Sequence, residues 1–374
     1  MFGKKLFSSL YFEKALSLLR AVCPIPAPSL NEDERVDFIL SFLRAEGIAS
    51  AFEDEAKNVI IPYNDTGDNE LDVFAAHTDV VFPDTSPLPF REEGDFIHSP
   101  GCGDDTASFV ALLMYAVHFF KEKPKTERGV LFVCNAAEEG LGNLKGTRKL
   151  FDTYRGRIRS FTTFDECLGK GIVDTAVGSE RYLIKVKTKG GHSFKDFGNR
   201  NAIAAISEII AKFYEQDVSL EGRTTYNVGT ISGGTSVNTI AEYAECTYEF
   251  RSTSKAALEK MHSSFESIIN SFSSENDVSI NYDCIGIRPC GSDVDISWME
   301  DIAENLMRDY GLSTERRASS TDANIPLSLG IPAICIGIVE MHGQHTREEY
   351  MRISNYRTGL DLGYDYILKT TGLA

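Results

Sequence analysis

Acidic residues and histidines follow the ends of several predicted strands. They are His77 and Asp79 after the apolar run 71–76, Glu138 and Glu139 after 130–134, Asp165 and Glu166 after 161–164, and His345 after 333–338. In an open α/β sheet, the carboxyl ends of parallel strands lie along one edge, and ligands bind there. We therefore expect these side chains to meet in one crevice.

The pair Asp104-Asp105 precedes a long apolar segment that is predicted to be a helix. Asp is a common N-cap, and a helix N-terminus favours carboxylates, so capping is one interpretation of the pair. The other is that the glycines at 101 and 103 form a turn that directs one carboxylate into the crevice. One carboxylate can bridge two cations. So much negative charge in one place requires cations, and the sequence therefore predicts a two-metal hydrolase.

Two of these pairs suggest a division of roles. His77 and Asp79 are two residues apart, so on a strand they point to the same face, and Asp79 can orient a metal-binding imidazole. A polar strand end that contains a histidine by chance is the alternative. Glu138 and Glu139 follow a buried strand, where two carboxylates are costly unless each has a function. One can bind a cation while the other accepts a proton from water. The alternative, a solvated loop, is weakened by Ala136-Ala137 before the pair and Gly140 after it.

Three choices remain open from the residues alone. His342 and His345 are three residues apart, and either could bind a metal. Asp165 and Glu166 are adjacent, and either could supply the carboxylate. Cys102 and Cys167 are near the expected site and could bind zinc, but the carboxylates and imidazoles suffice without them.

The amino-acid composition argues against several classes of protein. The chain has 374 residues, 38 Lys and Arg, 55 Asp and Glu, and a net charge of −17. Nucleic-acid binding needs clustered positive charge, so we expect no nucleic-acid partner, and an anionic membrane surface is disfavoured too. No run of ~18 apolar residues could span a membrane. Eight scattered cysteines without a C-x-x-C pair favour a reducing compartment, so we expect the cytoplasm.

The order of predicted elements indicates an α/β fold with an insertion. Strands and helices alternate to about residue 173 and again from about 292, which predicts a catalytic domain with a mostly parallel sheet flanked by helices. We assign residues 1–179 and 291–374 to it. Residues 180–290 instead predict the order βαββαβ of a ferredoxin-like α+β domain. Its predicted elements are strand 182–187, helix 201–215, strands 226–231 and 243–251, helix 254–272 and strand 278–285.

Six motifs occur in a fixed order along the chain. They are His-x-Asp at 77–79, Gly-x-Gly-Asp-Asp at 101–105, Glu-Glu-Gly at 138–140, an Asp at 165, Gly-Gly-His-Ser at 190–193 and His-Thr-x-x-Glu at 345–349. Together they resemble the M20 metallopeptidase family, which includes tripeptide aminopeptidases, carboxypeptidases, dipeptidases and N-acyl amino acid deacylases. The resemblance covers nearly the whole chain.

The resemblance implies two zinc ions, with manganese or cobalt as alternatives. Asp104 would bridge the two ions. One ion would also bind His77 and Asp165, and the other Glu139 and His345. Glu138 would be the general base, and Asp79 would orient His77.

The resemblance also implies that the inserted domain is a lid that closes over the catalytic domain. His192 would polarise the substrate carbonyl, and Asn238 and Arg251 would grip the substrate, although a surface salt bridge is the alternative for Arg251. In dimeric relatives the histidine comes from the neighbouring subunit, so a homodimer formed through the lid is an expectation. The chain departs from many relatives at Thr106-Ala107-Ser108, where they have Lys and then Gly, and at Glu166, where they often have Gly.

These observations favour a cytoplasmic two-zinc exopeptidase that hydrolyses di- and tripeptides, most similar to the tripeptide aminopeptidase branch. An N-acyl amino acid deacylase with the same chemistry is the first alternative. The second is a non-catalytic descendant that binds peptides or metal, which the complete set of Glu138 and five ligands disfavours.

Overall fold

The computed structural model describes residues 6–218, 222–273 and 277–373. Contacts divide the chain into two compact units. The first comprises the chain up to Ala176 and from Ser292 onward, and the second is Val177–Gly291.

The bounds of the elements follow in chain order. The helices are α1 Phe7–Val22, α2 Asp33–Ala45, α3 Ala107–Glu122, α4 Lys145–Thr153, α5 Ala202–Tyr214, α6 Lys255–Ser273, α7 Ser297–Asp309, α8 Asn324–Ser328 and α9 Ile353–Thr370. The strands to residue 192 are β1 Phe52–Glu53, β2 Val59–Tyr63, β3 Leu71–His77, β4 Arg91–Glu93, β5 Phe96–His98, β6 Gly129–Asn135, β7 Ile158–Thr163, β8 Ile172–Ala176, β9 Gly178–Lys187 and β10 Gly191–His192. The later strands are β11 Thr224–Gly233, β12 Thr239–Ile240, β13 Tyr243–Ser252, β14 Ser279–Arg288, β15 Arg316–Ser319, β16 Ala333–Ile336, β17 Met341–His342 and β18 Tyr350–Arg352.

The main sheet of the first unit is parallel at its centre. Its order is β1-β2-β6-β3-β7-β16-β8-β15, and β6, β3, β7 and β16 run parallel to one another. Every residue of β3 and β6 is buried, as expected for parallel strands that are covered on both faces. The predicted α/β class with a mostly parallel sheet is confirmed, and the carboxyl ends of these four strands share one edge.

Helix α3 anchors the turn that contains Asp104. Its residues from Ala107 to Val117 are all buried, because it contacts β3 and β6 on one side and α1 on another. A helix that is apolar on all sides is stable only when neighbours cover it in this way. The turn Cys102–Thr106 is therefore held at its carboxyl end by the core.

A second, small sheet in the first unit has the order β17-β18-β5-β4. The hairpin formed by β17 and β18 pairs through β18 with β5, Met351 opposite Ile97. The loop of this hairpin contains His345 and Glu349. These short strands are absent from the sequence prediction, yet they position the last predicted metal ligand.

The second unit is an antiparallel sheet of order β11-β13-β9-β14 covered on one face by α5 and α6. Residues at every second position of β9 and β13, such as Ile184 and Cys246, are buried in its core. The alternation arises because successive side chains of a strand point to opposite faces. The predicted order βαββαβ is confirmed, with the short pair β10-β12 as an addition.

Two observations concern the whole described part of the chain. Within residues 6–218, 222–273 and 277–373, no helix combines the length and apolar character needed to cross a bilayer. The eight cysteines are free thiols, and seven of them are buried. Burial raises the pKa of Cys23, for example, to about 12, which disfavours its thiolate form.

Candidate metal centre

The structure brings the five predicted metal ligands together. His77 ends β3, Glu139 follows β6, Asp165 follows β7, Asp104 lies in the turn before α3, and His345 lies in the β17–β18 loop. Ligand atoms of His77, Asp104 and Glu139 lie within 4.8 Å of one another, and so do those of His77, Glu138 and Asp165.

Asp104 occupies the centre of the cluster. Its Oδ1 lies 3.1 Å from Nε2 of His77, and its Oδ2 lies 3.2 Å from Nε2 of His345. Each oxygen of one carboxylate therefore faces a different imidazole. This is the arrangement needed for one carboxylate to bridge two cations.

A second carboxylate completes each side. His77 Nε2 lies 3.7 Å from Asp165 Oδ1, and His345 Nε2 lies 3.0 Å from Glu139 Oε1. Each side thus offers one imidazole and one carboxylate in addition to an oxygen of Asp104. Imidazole nitrogen and carboxylate oxygen are ligands of zinc and of other divalent first-row metals. The residues present therefore fit two divalent cations.

The geometry distinguishes the candidates left open by the sequence. Glu166 accepts a hydrogen bond from its neighbouring backbone N–H at 167 and pairs with Arg317 at 3.1 Å, so Asp165 is the carboxylate beside His77. His342 lies 3.1 Å from Glu340 and stacks on a tyrosine ring, whereas His345 faces the cluster.

Electrostatics on the His77 side fit a cation. Burial alone would lower the pKa of His77, but hydrogen bonds with Asp104, Asp165 and Asp79 raise it well above its ordinary value. Burial raises the pKa of Asp165 to about 7. In the metal-free protein the excess of carboxylates therefore draws protons into the cluster.

The His345 side behaves in the same way. Hydrogen bonds with Asp104 and Glu139 raise the pKa of His345 to about 11. Although burial opposes it, pairing with the two imidazoles holds the pKa of Asp104 well below its usual range. Metal ligands must release such protons, so cations would replace them here.

Asp79 organises more than the ring of His77. Its Oδ1 accepts the backbone N–H of Glu138 at 3.0 Å, and its Oδ2 accepts that of Glu139 at 2.9 Å and the hydroxyl of Ser29 at 2.6 Å. His77 Nδ1 lies nearer to the main-chain oxygen of Asp79, at 3.0 Å, than to its carboxylate, at 3.5 Å. Asp79 therefore fixes both the imidazole and the two glutamates.

Two further buried side chains hold the segment before Glu138. Asn58 Oδ1 accepts the N–H of Ala136 at 3.0 Å, and Glu32 Oε1 accepts that of Ala137 at 3.0 Å. Ala137 has a φ of 58°, which is uncommon for a residue other than glycine. Together with the bonds to Asp79, four consecutive backbone amides are fixed by side chains from other segments.

The capping interpretation of the aspartate pair is wrong. Helix α3 begins at Ala107 with Thr106 as its N-cap, and Asp104 and Asp105 have non-helical backbone angles in the turn before it. The Asp104–Asp105 peptide bond is cis. Asp105 instead accepts the backbone N–H of His77 at 3.1 Å. The turn thus presents Asp104 to the cluster and uses Asp105 to hold the end of β3.

Glu349 is a buried residue whose role the sequence prediction missed. Its carboxylate accepts the backbone N–H groups of Gly101 at 2.9 Å, Gly103 at 2.8 Å and Asp104 at 2.9 Å. Burial and the charge of Asp104 raise the pKa of Glu349 to about 7 against the effect of these donors. The feature of the sequence that could have identified Glu349 is its position four residues after His345.

Arg35 was also missed. Its guanidinium is buried and donates to the main-chain oxygens of Ile25 and Thr78 and to Thr106 Oγ1. Burial lowers the pKa of Arg35 to about 10. The sequence signal is an arginine at helical spacing from the apolar residue Ile39 on the buried face of α2.

In the second unit, His192 and Asn238 are neighbours. His192 pairs with Thr239 across β10 and β12, and the N–H of Ser193 donates to the main-chain oxygen of Asn238 at 3.0 Å. The exposed ring of His192 accepts the N–H of Phe194 at Nδ1, 3.2 Å away. A neutral imidazole with an accepting Nδ1 carries its proton on Nε2.

Arg251 lies at the other end of the four-stranded sheet of this unit. Arg251 lies eight residues from Tyr243 along β13, and at ~3.4 Å per residue these two residues are about 27 Å apart. Strand β12, which pairs with β10 at His192, ends near Tyr243. The guanidinium of Arg251 contacts Glu249 at 3.2 and 3.1 Å. Within this unit, the structure therefore does not bring Arg251 together with His192 and Asn238.

Comparison with known proteins identifies the class. Residues 73–369 match the model of peptidase family M20/M25/M40, which is most of the chain. The chain belongs to this family, so the predicted resemblance is confirmed and the protein is a hydrolytic enzyme.

Individual relatives are distant in sequence. The chain is 26% identical to "Putative succinyl-diaminopimelate desuccinylase DapE" of Mycobacterium tuberculosis, over 94% of this chain and 97% of that protein. The fold is similar to that of a tripeptidase from Staphylococcus aureus, with a TM-score of 0.77, 21% identity and coverage of 96% and 98% of the two chains. It is also similar to a dinuclear metal-binding peptidase of the M20 family from Bacillus subtilis, with a TM-score of 0.66, 16% identity and coverage of 98% and 100%.

Proposed function

We propose that this protein is a two-metal exopeptidase that hydrolyses short peptides, with zinc as the metal and manganese or cobalt as alternatives. One observation carries the proposal. The two oxygens of Asp104 face His77 and His345 separately, and Glu138 belongs to the same cluster. Bound there, two divalent cations would polarise the scissile carbonyl and lower the pKa of the attacking water.

The side chains of this chain supply the remaining steps. Glu138 would accept the proton of the attacking water and deliver it to the leaving amine, as a positioned general base and acid does. Asp79 supports this role because it holds the backbone of Glu138 and Glu139 at adjacent positions. Fixing the main chain of Glu138 reduces the conformational freedom that remains to be lost when its carboxylate reaches the attacking water.

His192 is suited to stabilise the substrate carbonyl. Its Nδ1 accepts a backbone N–H, so the neutral ring would present Nε2–H as a donor. A donor directed at a developing oxyanion is usually among the larger contributions to catalysis. We propose that the second unit acts as a lid that brings this donor to the substrate.

If Arg251 grips the substrate, His192 of the same chain lies too far along the unit to contact that short substrate as well. An extended tripeptide spans about 10 Å, whereas the two ends of the sheet are separated by about 27 Å. The separation supports the expectation that His192 and Asn238 come from a neighbouring subunit. We therefore propose a homodimer in which each active site uses residues of two chains.

An N-acyl amino acid deacylase is the second candidate. The observation that favours it is the 26% identity, over nearly the full length of both chains, to the protein with a desuccinylase name. The chemistry of amide hydrolysis is the same, so only the group recognised beyond the scissile bond differs. On the acyl side of that bond an exopeptidase accepts an aminoacyl or peptidyl group, and a deacylase accepts an acyl group such as acetyl or succinyl.

A substrate panel decides between the two candidates. The metal-free protein is loaded with zinc, manganese or cobalt and is then offered tripeptides, dipeptides, and N-acetyl and N-succinyl amino acids. The proposal predicts the highest kcat/KM for an unblocked tripeptide. Faster cleavage of an N-succinyl amino acid would establish the deacylase, and no turnover of any substrate with any metal would contradict both.

Location in the cytoplasm stays a prediction.

A further inference from the structure

We infer that Glu349 is the residue that positions Asp104, and thereby fixes the geometry of both proposed metal positions. The inference rests on the proposed two-metal site. It concerns a residue that touches neither the proposed cations nor a substrate, so Glu349 is a positioning residue. Three structural observations support it.

The first observation is the number and direction of its hydrogen bonds. Glu349 Oε1 accepts the N–H groups of both Gly103 and Asp104, and Oε2 accepts that of Gly101. Three backbone donors of one turn thus converge on one carboxylate. Because Asp104 itself supplies one of the donors, the carboxylate of Glu349 fixes the main chain from which the bridging side chain extends.

The second observation is the burial of this contact. Glu349 is 1% exposed, and Asp104 is 8% exposed. The three N–H groups could not readily exchange Glu349 for solvent, so the turn depends on this acceptor. A buried donor without an acceptor is unfavourable. Loss of the carboxylate should therefore move the turn.

The third observation is that the β17–β18 hairpin contacts the turn at three points. His345 lies 3.2 Å from Asp104 Oδ2, and Glu349, at the end of the same loop, holds the backbone. The turn also packs closely on β17, because a Cβ added at Gly103 would lie 2.4 Å from Cβ of Met341. The hairpin therefore aligns both the main chain and one oxygen of Asp104.

The test compares Glu349→Gln with the wild-type protein. Glutamine keeps the size of the side chain but replaces one accepting oxygen with an NH2 donor, so at least one of the three amides loses its acceptor. Losing a contact that orients a ligand typically weakens metal binding by ~10–100-fold. We expect such a loss for both cations, faster hydrogen exchange at the amides of Gly101, Gly103 and Asp104, and a fall in kcat with little change in KM.

Two variants serve as controls. Glu348→Gln removes the same charge from an exposed neighbour and should bind metal as the wild type does. Asp361→Asn changes another buried carboxylate, which accepts the N–H and hydroxyl of Ser8 in α1. It should lower thermal stability without weakening metal binding, so it separates a purely structural loss from a loss of positioning.

Wild-type metal affinity together with wild-type exchange at the three amides in folded Glu349→Gln would overturn the inference. If that variant does not fold, exchange in the metal-free wild-type protein decides. Slow exchange of the three amides supports the inference, and exchange as fast as in exposed loops overturns it. Metal affinity and amide exchange are measured without a substrate, so an enzyme that cleaves none of the proposed substrates would contradict the proposed function and leave these two results standing.

Discussion

Asp104 is the residue whose carboxylate connects the two halves of the site. Its oxygens face His77 and His345 at similar distances, 3.1 and 3.2 Å. Asp165 and Glu139 each contact only one of these imidazoles among the described ion pairs. A change at Asp104 should therefore affect both metal positions, while a change at one histidine should affect mainly its own.

Metal titration of Asp104→Ala and His345→Ala tests this asymmetry. We expect Asp104→Ala to weaken both binding events by more than the ~10–100-fold that is typical of losing an outer contact. His345→Ala should weaken mainly one event. His342→Ala is the matched control, because this ring pairs with Glu340 instead and should leave both events unchanged. Equal weakening of both events in the His345 variant would contradict the assignment of ligands to two positions.

At the scale of elements, the long buried strands were predictable and the short ones were not. The apolar runs at 71–76 and 130–134 correspond to β3 and β6, because fully buried parallel strands are continuous in hydrophobicity. The strands β17 and β18 have two and three residues, which is too short for any periodic pattern. They form because β18 pairs with β5, a contact that spans about two thirds of the chain.

The turn before α3 shows the same limit. The residue types at 101–105 indicated a tight turn and a carboxylate, but the helix starts at Ala107 and not at the aspartates. The difference arises from contacts that are remote in sequence. Glu349 binds the turn from 245 to 248 residues away, and the carboxylate of Asp105 accepts the backbone N–H of His77. Local propensity contains no information about such partners.

The same reasoning explains the missed side chains around Glu138. Glu32 and Asn58 accept the amides of Ala137 and Ala136 from separate segments. Each looks like an ordinary polar residue in its own segment. Arg35 is different, because a charge on the apolar face of α2 could have been recognised from helical spacing alone.

At the scale of the whole molecule, the distribution of residues in the second unit bears on assembly. His192 and Asn238 lie at the short β10–β12 pair, near one end of the four-stranded sheet, and Arg251 lies near the other end of that sheet. In the dimer that we propose, a single active site would take its metal ligands and Arg251 from one chain and His192 from the other. Two chains with different defects could then form one intact site.

Mixing two inactive variants tests this arrangement. After dissociation and reassociation, His192→Ala combined with Glu138→Gln should recover at most about a quarter of wild-type activity, because half of randomly paired dimers are hybrids with one intact site of two. Asp104→Ala mixed with Glu138→Gln is the control. Both of these defects lie in the first unit, so each site of a hybrid keeps one of them and activity should stay absent. No recovery in the first mixture, although hybrids form, would mean that His192 acts within its own chain.

The most direct test of the central claim is to measure metal content and turnover together in Glu138→Gln. Glutamine keeps the size of the side chain but cannot accept the proton of the attacking water, and losing a general base typically costs ~10²–10⁴-fold in rate. We predict two equivalents of metal in both the variant and the wild type, with turnover reduced by that factor in the variant. Glu166→Gln, whose carboxylate pairs with Arg317, is the control and should retain both metal and turnover. A variant that loses metal together with activity, or a wild-type protein that never binds more than one equivalent, would contradict the account.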